Sequence, residues 1–139
     1  ERTLEQTEKL DEILKRVDNT KKISQPKITE MLLAVGFTPE QAKIMAAVAM
    51  AESAGDPMID TVKSGLDPEK KNEFSIGLFQ LNMIDAFLEE RLKLFGIEST
   101  DELYDPIVNV IAAKRLYDQQ GFGAWSAYNN NSYKKFLTN

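Results

Sequence analysis

Apolar residues recur at helical spacing through most of the chain, and the polar breaks between them set out its organisation. "TLEQTEKLDEILKRV" places Leu4, Leu10, Ile13, Leu14 and Val17 among charges, the pattern of an amphipathic helix with one apolar stripe. "DNTKKISQPK" is polar, contains a proline and reads as a connector. "ITEMLLAVGF" follows as a second short helix, closed by Gly36. In "TPEQ", Thr38 is a good N-cap, Pro39 takes the first helical position and Gln41 completes a capping box. The helix that starts there is expected to run to about Ala54, with Gly55 adopting the left-handed conformation that ends it. Between Ile44 and Ala51 it is apolar all round, so it is expected to be buried at the centre of the core, with Glu52 in its last turn.

Residues 55–74 hold two Asp-Pro pairs, two glycines and many charges, and read as a loop with short strand character near Ile59 to Val62. "SIGLFQLNMIDAFLEERLKLFGI" is expected to begin as a turn around Gly77 and to become a helix by about Met83. Ile84, Phe87, Leu88, Leu92 and Phe95 would form its apolar stripe. A further helix is expected from Asp105, as cap, and Pro106 to Gly121, with Ile107, Val110, Ile111, Ala113, Lys114 and Tyr117 recurring along it. The last stretch predicts a short helix on either side of an Asn cluster. The fold class expected is all-α, or mainly α with a minimal β-hairpin, around a central helix ending at Glu52. Residues 1–25 form an amphipathic lead-in helix and connector, and residues 26–139 one domain.

At 139 residues, such a domain buries roughly two-thirds of its unfolded surface. The 42% of hydrophobic and 28% of charged residues are ordinary for a globular chain, and no apolar run approaches the ~18 residues of a membrane span. A start at Glu1 without methionine or secretory signal is expected of a processed chain or an excised domain. The net charge of −5 argues against a general nucleic-acid binder, which needs a basic face. With no cysteine and no histidine, disulfides, thiolate chemistry and the usual neutral-pH base are excluded. Catalysis must then rest on carboxylates, hydroxyls, amides, lysine or tyrosine.

Glu52 is the notable carboxylate. The negative end of the helix dipole and the apolar neighbours both disfavour its ionised form, so its pKa is expected to be raised. A protonated acid of this kind is what cleavage of a glycosidic bond requires at the leaving oxygen. The plainer reading is a partly solvated residue at a helix end.

Four motifs in order tip that balance: "AESAGDP", "SIGLFQLN", "LYDPIVNV" and "WSAYNNN". Together they resemble the lytic transglycosylases and goose-type lysozymes over residues 38–137, with Phe79 where methionine is usual and Asn130 and Asn131 where glycine is common. The resemblance implies a lysozyme-like domain in which Glu52 is the sole acid/base. It would protonate the oxygen between N-acetylmuramic acid and N-acetylglucosamine, then take the proton of the muramoyl C6 hydroxyl as that oxygen closes a 1,6-anhydro ring.

Substrate-binding residues follow from the same motifs: Ser53, Ser75, Gly77, Phe79, Gln80, Tyr128 and Asn129. Ser75 and Gly77 would open a tight turn that lets backbone approach the sugar. Gln80 offers an amide to the sugar or ties its own loop. Tyr128 points its hydroxyl at Glu52 or the N-acetyl group, or is a core aromatic. Ser53 bonds the acid or caps the helix end. Phe79 and Trp125 are candidates to stack on sugar rings, although burial is the expected fate of Trp125. Asp105 and Asn109 read as a cap and a buried tie.

One of Asp56, Asp60, Asp67, Glu69 or Glu73 could serve as a second carboxylate, activating water at ~6.5–9.5 Å from Glu52 and making the enzyme an inverting hydrolase. A non-catalytic wall-binding or virion module is the third reading. No cofactor or metal is implied, and no calcium-loop spacing occurs. The expected partners are peptidoglycan strands, with virion or envelope proteins meeting the lead-in helix. The expected setting is a phage virion acting in the host periplasm and cell wall, or else a bacterial periplasm or envelope.

Overall fold

The computed structural model describes Glu8, residues 21–65, Asp67, Glu69 and residues 73–137. The lead-in helix expected within residues 1–25 therefore falls, up to residue 20 and apart from Glu8, outside the described residues.

Helix α1 spans Gln25–Ala34, with Ser24 as N-cap accepting from the Lys27 N–H at 3.3 Å and a proline in its first turn. The helix thus begins inside the stretch expected to be connector. "SQP" carries the same cap-then-proline signal as "TPE", but its polar surroundings mask it. Ile28, Met31 and Leu32 are fully buried.

Helix α2 spans Pro39–Ser53 behind a complete capping box: Gln41 N–H to Thr38 Oγ1 at 3.2 Å and Thr38 N–H to Gln41 Oε1 at 3.0 Å. Ala42, Met45 and the run Ala46 to Ala49 are buried, as a helix without a polar face demands. Its end differs from expectation by one residue, since Ala54 (φ 55°) takes the left-handed capping position. Gly55, at φ 81°, serves another purpose. A Cβ there would sit 2.3 Å from the Ile23 carbonyl oxygen, and the Gly55 carbonyl accepts from the Ile23 N–H at 2.8 Å. This close approach clamps the chain leaving α2 against the segment that precedes α1.

Where a turn running into a helix was expected, the chain instead forms a small antiparallel hairpin, with β1 (Ser75–Ile76) paired to β2 (Leu81–Asn82). Asp60 bridges Ile76, and Thr61 is tied to Ser75 through the Thr61 N–H (3.0 Å) and its own Oγ1 (2.8 Å). The strand character expected near residues 59–62 amounts to this edge contact. Helix α3 (Asp85–Phe95) starts after the hairpin, and of its expected stripe only Phe95 is buried, while Phe87 is 40% exposed. A 3-10 turn, Thr100–Tyr104, leads into α4 (Pro106–Gln120), whose N-cap Asp105 accepts from the Ile107 N–H at 2.9 Å. Short helix α5 (Ser126–Asn129) and the 3-10 turn Ser132–Phe136 close the described chain. The result is a mainly helical domain with one minimal hairpin, as expected. No helix among the described residues is long and apolar enough to cross a membrane.

Candidate active site

The last turn of α2, the hairpin, α3 and the Ala124–Ser126 segment surround a cleft of about 260 Å³. Glu52 enters it from the helix end, Glu73, Ser75, Gln80 and Asn82 from around the hairpin, Phe87 and Arg91 from α3, and Trp125 and Ser126 from the segment opening α5.

Glu52 Oε2 accepts from the Ala127 N–H at 3.3 Å, a bond across 75 residues of sequence that fixes the carboxyl against the start of α5. Burial raises its pKa above the ordinary 4.5. The Ala127 N–H opposes that, the charge of Glu73 adds to it, and the Ser126 side chain opposes it. The expectation of a raised pKa therefore holds, with burial as the leading cause. At mildly acidic and neutral pH such a group keeps a larger protonated fraction than an exposed glutamate, so it can deliver a proton into the cleft.

The shift carries a consequence for stability. The folded chain binds this proton more tightly than the unfolded chain. The group favours the fold below the ordinary pKa and loses that contribution as pH rises through its raised folded value. In urea unfolding, Glu52→Gln should be more stable than wild type at pH 7, with the gap closing near pH ~4. A variant less stable than wild type at pH 7 would contradict the burial cost.

Of the acidic residues considered as a second carboxylate, Glu73 alone among the described residues lines the cleft. Its Oε2 accepts from the Ser75 hydroxyl at 2.6 Å. Asp60 is occupied elsewhere, accepting from the Tyr104 hydroxyl at 2.5 Å and the Lys63 N–H at 2.8 Å. Asp56 and Asp67 accept from backbone N–H groups of their own turns, Met58 and Glu69. Among the described residues no group of three or more acidic side chains is placed to hold a metal ion.

The residues expected to bind substrate divide. Ser75 and Gln80 line the cleft. Gln80 also ties its loop, its Nε2 donating to the Ile59 and Gly77 carbonyls at 3.1 and 2.9 Å. Ser53, Gly77, Phe79, Tyr128 and Asn129 are not among the cleft-lining residues. Ser53 is buried and closes the helix, donating to the Ala49 carbonyl at 3.0 Å and accepting from the Gly55 N–H at 3.2 Å. Gly77 is required by the packing of the protein itself: at φ 74°, a Cβ would lie 2.5 Å from Asn109 Nδ2 and 2.6 Å from the Leu103 carbonyl oxygen. Phe79 is fully buried, edge-on to Trp125 at 6.0 Å, and the Trp125 indole N–H donates to the Phe79 carbonyl at 3.0 Å. Tyr128 stacks between Phe122 (4.8 Å) and Tyr133 (5.0 Å), and Asn129 Nδ2 donates to the Gly123 carbonyl at 2.9 Å.

Sequence reasoning assigned no site role to Phe87, Arg91, Asn82 and Ser126. Phe87 reads from the sequence as part of an apolar helical stripe, and Arg91 is one charge among several on α3. Ser126 stands beside the expected Tyr128 in the same motif, but the backbone that reaches Glu52 belongs to Ala127.

A mainly helical domain thus has a central helix that delivers one largely desolvated glutamate into a hairpin-bordered cleft. Residues 29–127 match the family described as a lysozyme-like domain, and the chain belongs to that family. Membership points to action on peptidoglycan. No curated protein matches the chain by sequence.

Proposed function

We propose that the protein is a peptidoglycan lytic transglycosylase, with Glu52 as general acid and then general base. The observation that carries the proposal is the placement of Glu52 at the end of the buried helix α2 and in the cleft, where burial raises its pKa. Protonated Glu52 gives its proton to the bridging oxygen as the bond from C1 of N-acetylmuramic acid to that oxygen breaks. The resulting carboxylate accepts the proton of the C6 hydroxyl while the C6 oxygen bonds to C1. The acid is thereby regenerated and no water is consumed. Ser75, Gln80 and Asn82 supply polar groups along the cleft, and the Trp125–Phe79 pair stiffens its wall. The setting proposed is a bacterial cell wall, reached from a phage virion or from within the bacterial envelope.

One observation favours a second reading, a lysozyme-type hydrolase. Glu73 shares the cleft and raises the pKa of Glu52 through its charge. An ionised Glu73 could activate water. Mass analysis of digested sacculi separates the two, since 1,6-anhydro ends are one water lighter than reducing ends. Glu73→Gln provides an independent check. Under transglycosylation, the variant keeps activity within about tenfold, and the basic limb of its pH profile moves to lower pH because a neighbouring charge is gone. A loss of about a hundredfold or more, with reducing ends as product, would establish Glu73 as a base and overturn the transglycosylase assignment.

A further inference from the structure

Among the described residues, Arg91 is the one cation that lines the cleft. It lies one helical turn beyond Phe87 on α3, its guanidinium carbon 4.7 Å from the centre of the Phe87 ring. Its Nη1 donates to the Asn82 carbonyl at 2.9 Å, which fixes the head group at the edge of the hairpin. Among the described residues no carboxylate stands within ion-pair distance of it, although Glu52 and Glu73 line the same cleft. Burial works against its charge and pulls its pKa below the usual arginine value, with Glu90 acting the other way. A half-buried guanidinium has five N–H donors in a planar fork, and the single bond to Asn82 leaves most of them unused. Such a group, held in place by a ring and a carbonyl without an acidic partner, matches a carboxylate brought by a ligand.

We infer that Arg91, set by Phe87 and the Asn82 carbonyl, is a specificity-determining residue that binds a carboxylate of the glycan strand beside the bond to be cut. The inference rests on the substrate assigned above. Peptidoglycan offers such a carboxylate in two places: the lactyl group of muramic acid where the peptide stem is absent, and the stem itself where it is present. Strands of N-acetylglucosamine alone offer none. The charge of Glu73 in the cleft repels an anionic substrate, and Arg91 offsets that repulsion locally.

Binding measured by calorimetry on the Glu52→Gln protein tests this without turnover. The probes are soluble strands with stems, strands stripped to free lactyl groups, and both preparations with their carboxylates converted to methylamides. Carboxylated strands should bind about tenfold more tightly than their amidated counterparts, the scale of one charge-assisted contact. Adding Arg91→Gln should bring that ratio close to one, and Arg91→Lys should restore part of it, because lysine keeps the charge without the fork. A preference retained on stripped strands identifies the lactyl carboxylate, and one confined to stemmed strands identifies the peptide. Equal affinity for carboxylated and amidated strands would overturn the inference. So would an Arg91→Gln variant that weakens both by the same factor, which is the signature of a purely structural arginine. Failure to bind any strand would instead overturn the substrate assignment, and this inference with it.

Discussion

Glu52→Gln should reduce lysis of purified sacculi about a thousandfold while leaving strand binding in place. General acid–base catalysis by one positioned group is worth ~10²–10⁴-fold, and the proposal asks this group to act twice in one turnover. Glutamine has the same shape, and its side-chain oxygen can still accept from the Ala127 N–H that holds Glu52 at 3.3 Å. The cleft should therefore survive, and the loss should fall on turnover. Lysis within tenfold of wild type would remove Glu52 from the chemistry. If neither protein lysed sacculi but both bound them, the domain would be a wall-binding module that keeps the lysozyme-like fold.

The second large effect is expected far from the proton. Asn109 is fully buried, and its amide serves three backbone groups: its Oδ1 accepts from the Phe79 N–H, and its Nδ2 donates to the Ile76 and Leu103 carbonyls, all at 3.0 Å. It locks the hairpin loop to the start of α4. Asn109→Leu fills a similar volume but strands these groups without water, at ~1–3 kcal/mol each. A total loss of about 4 kcal/mol is expected in urea unfolding, a large share of the ~5–15 kcal/mol typical of a domain. Gly77→Ala should act on the same junction, because its Cβ would occupy the space of the Asn109 amide at a positive φ. The double variant should accordingly lose less than the sum of the two. A cost below 1 kcal/mol for Asn109→Leu would show that the hairpin is held by other means.

The two longest helices were legible because their signals are local. Thr38-Pro39-Gln41 and Asp105-Pro106 specify helix starts by short-range hydrogen bonding and a fixed φ, and the structure places both caps as read. The apolar run before Glu52 likewise fixed a buried helix with an acid at its tip. The hairpin was harder to read. Strands of two residues have no periodicity to detect, and their pairing depends on Asn109, some thirty positions later.

Within the site, motif membership identified the neighbourhood but not the direction of each side chain. Ser53 and Glu52 are adjacent on one helix and so point different ways, one into the helix end and one into the cleft. Tyr128 and Asn129 lie in a motif that touches Glu52, yet the contact comes from the Ala127 backbone. Arg91 could not be found from sequence, because nothing local marks which charge on an amphipathic helix will face a cleft formed by three other segments.

The central claim is that Glu52 holds its proton because the fold strips water from it. Titration of the Glu52 side-chain carboxyl carbon by NMR in the free protein tests it most directly. A midpoint above the ordinary 4.5 is expected, moving toward that value in Glu73→Gln as the neighbouring charge is removed. A midpoint at or below 4.5 would contradict the account.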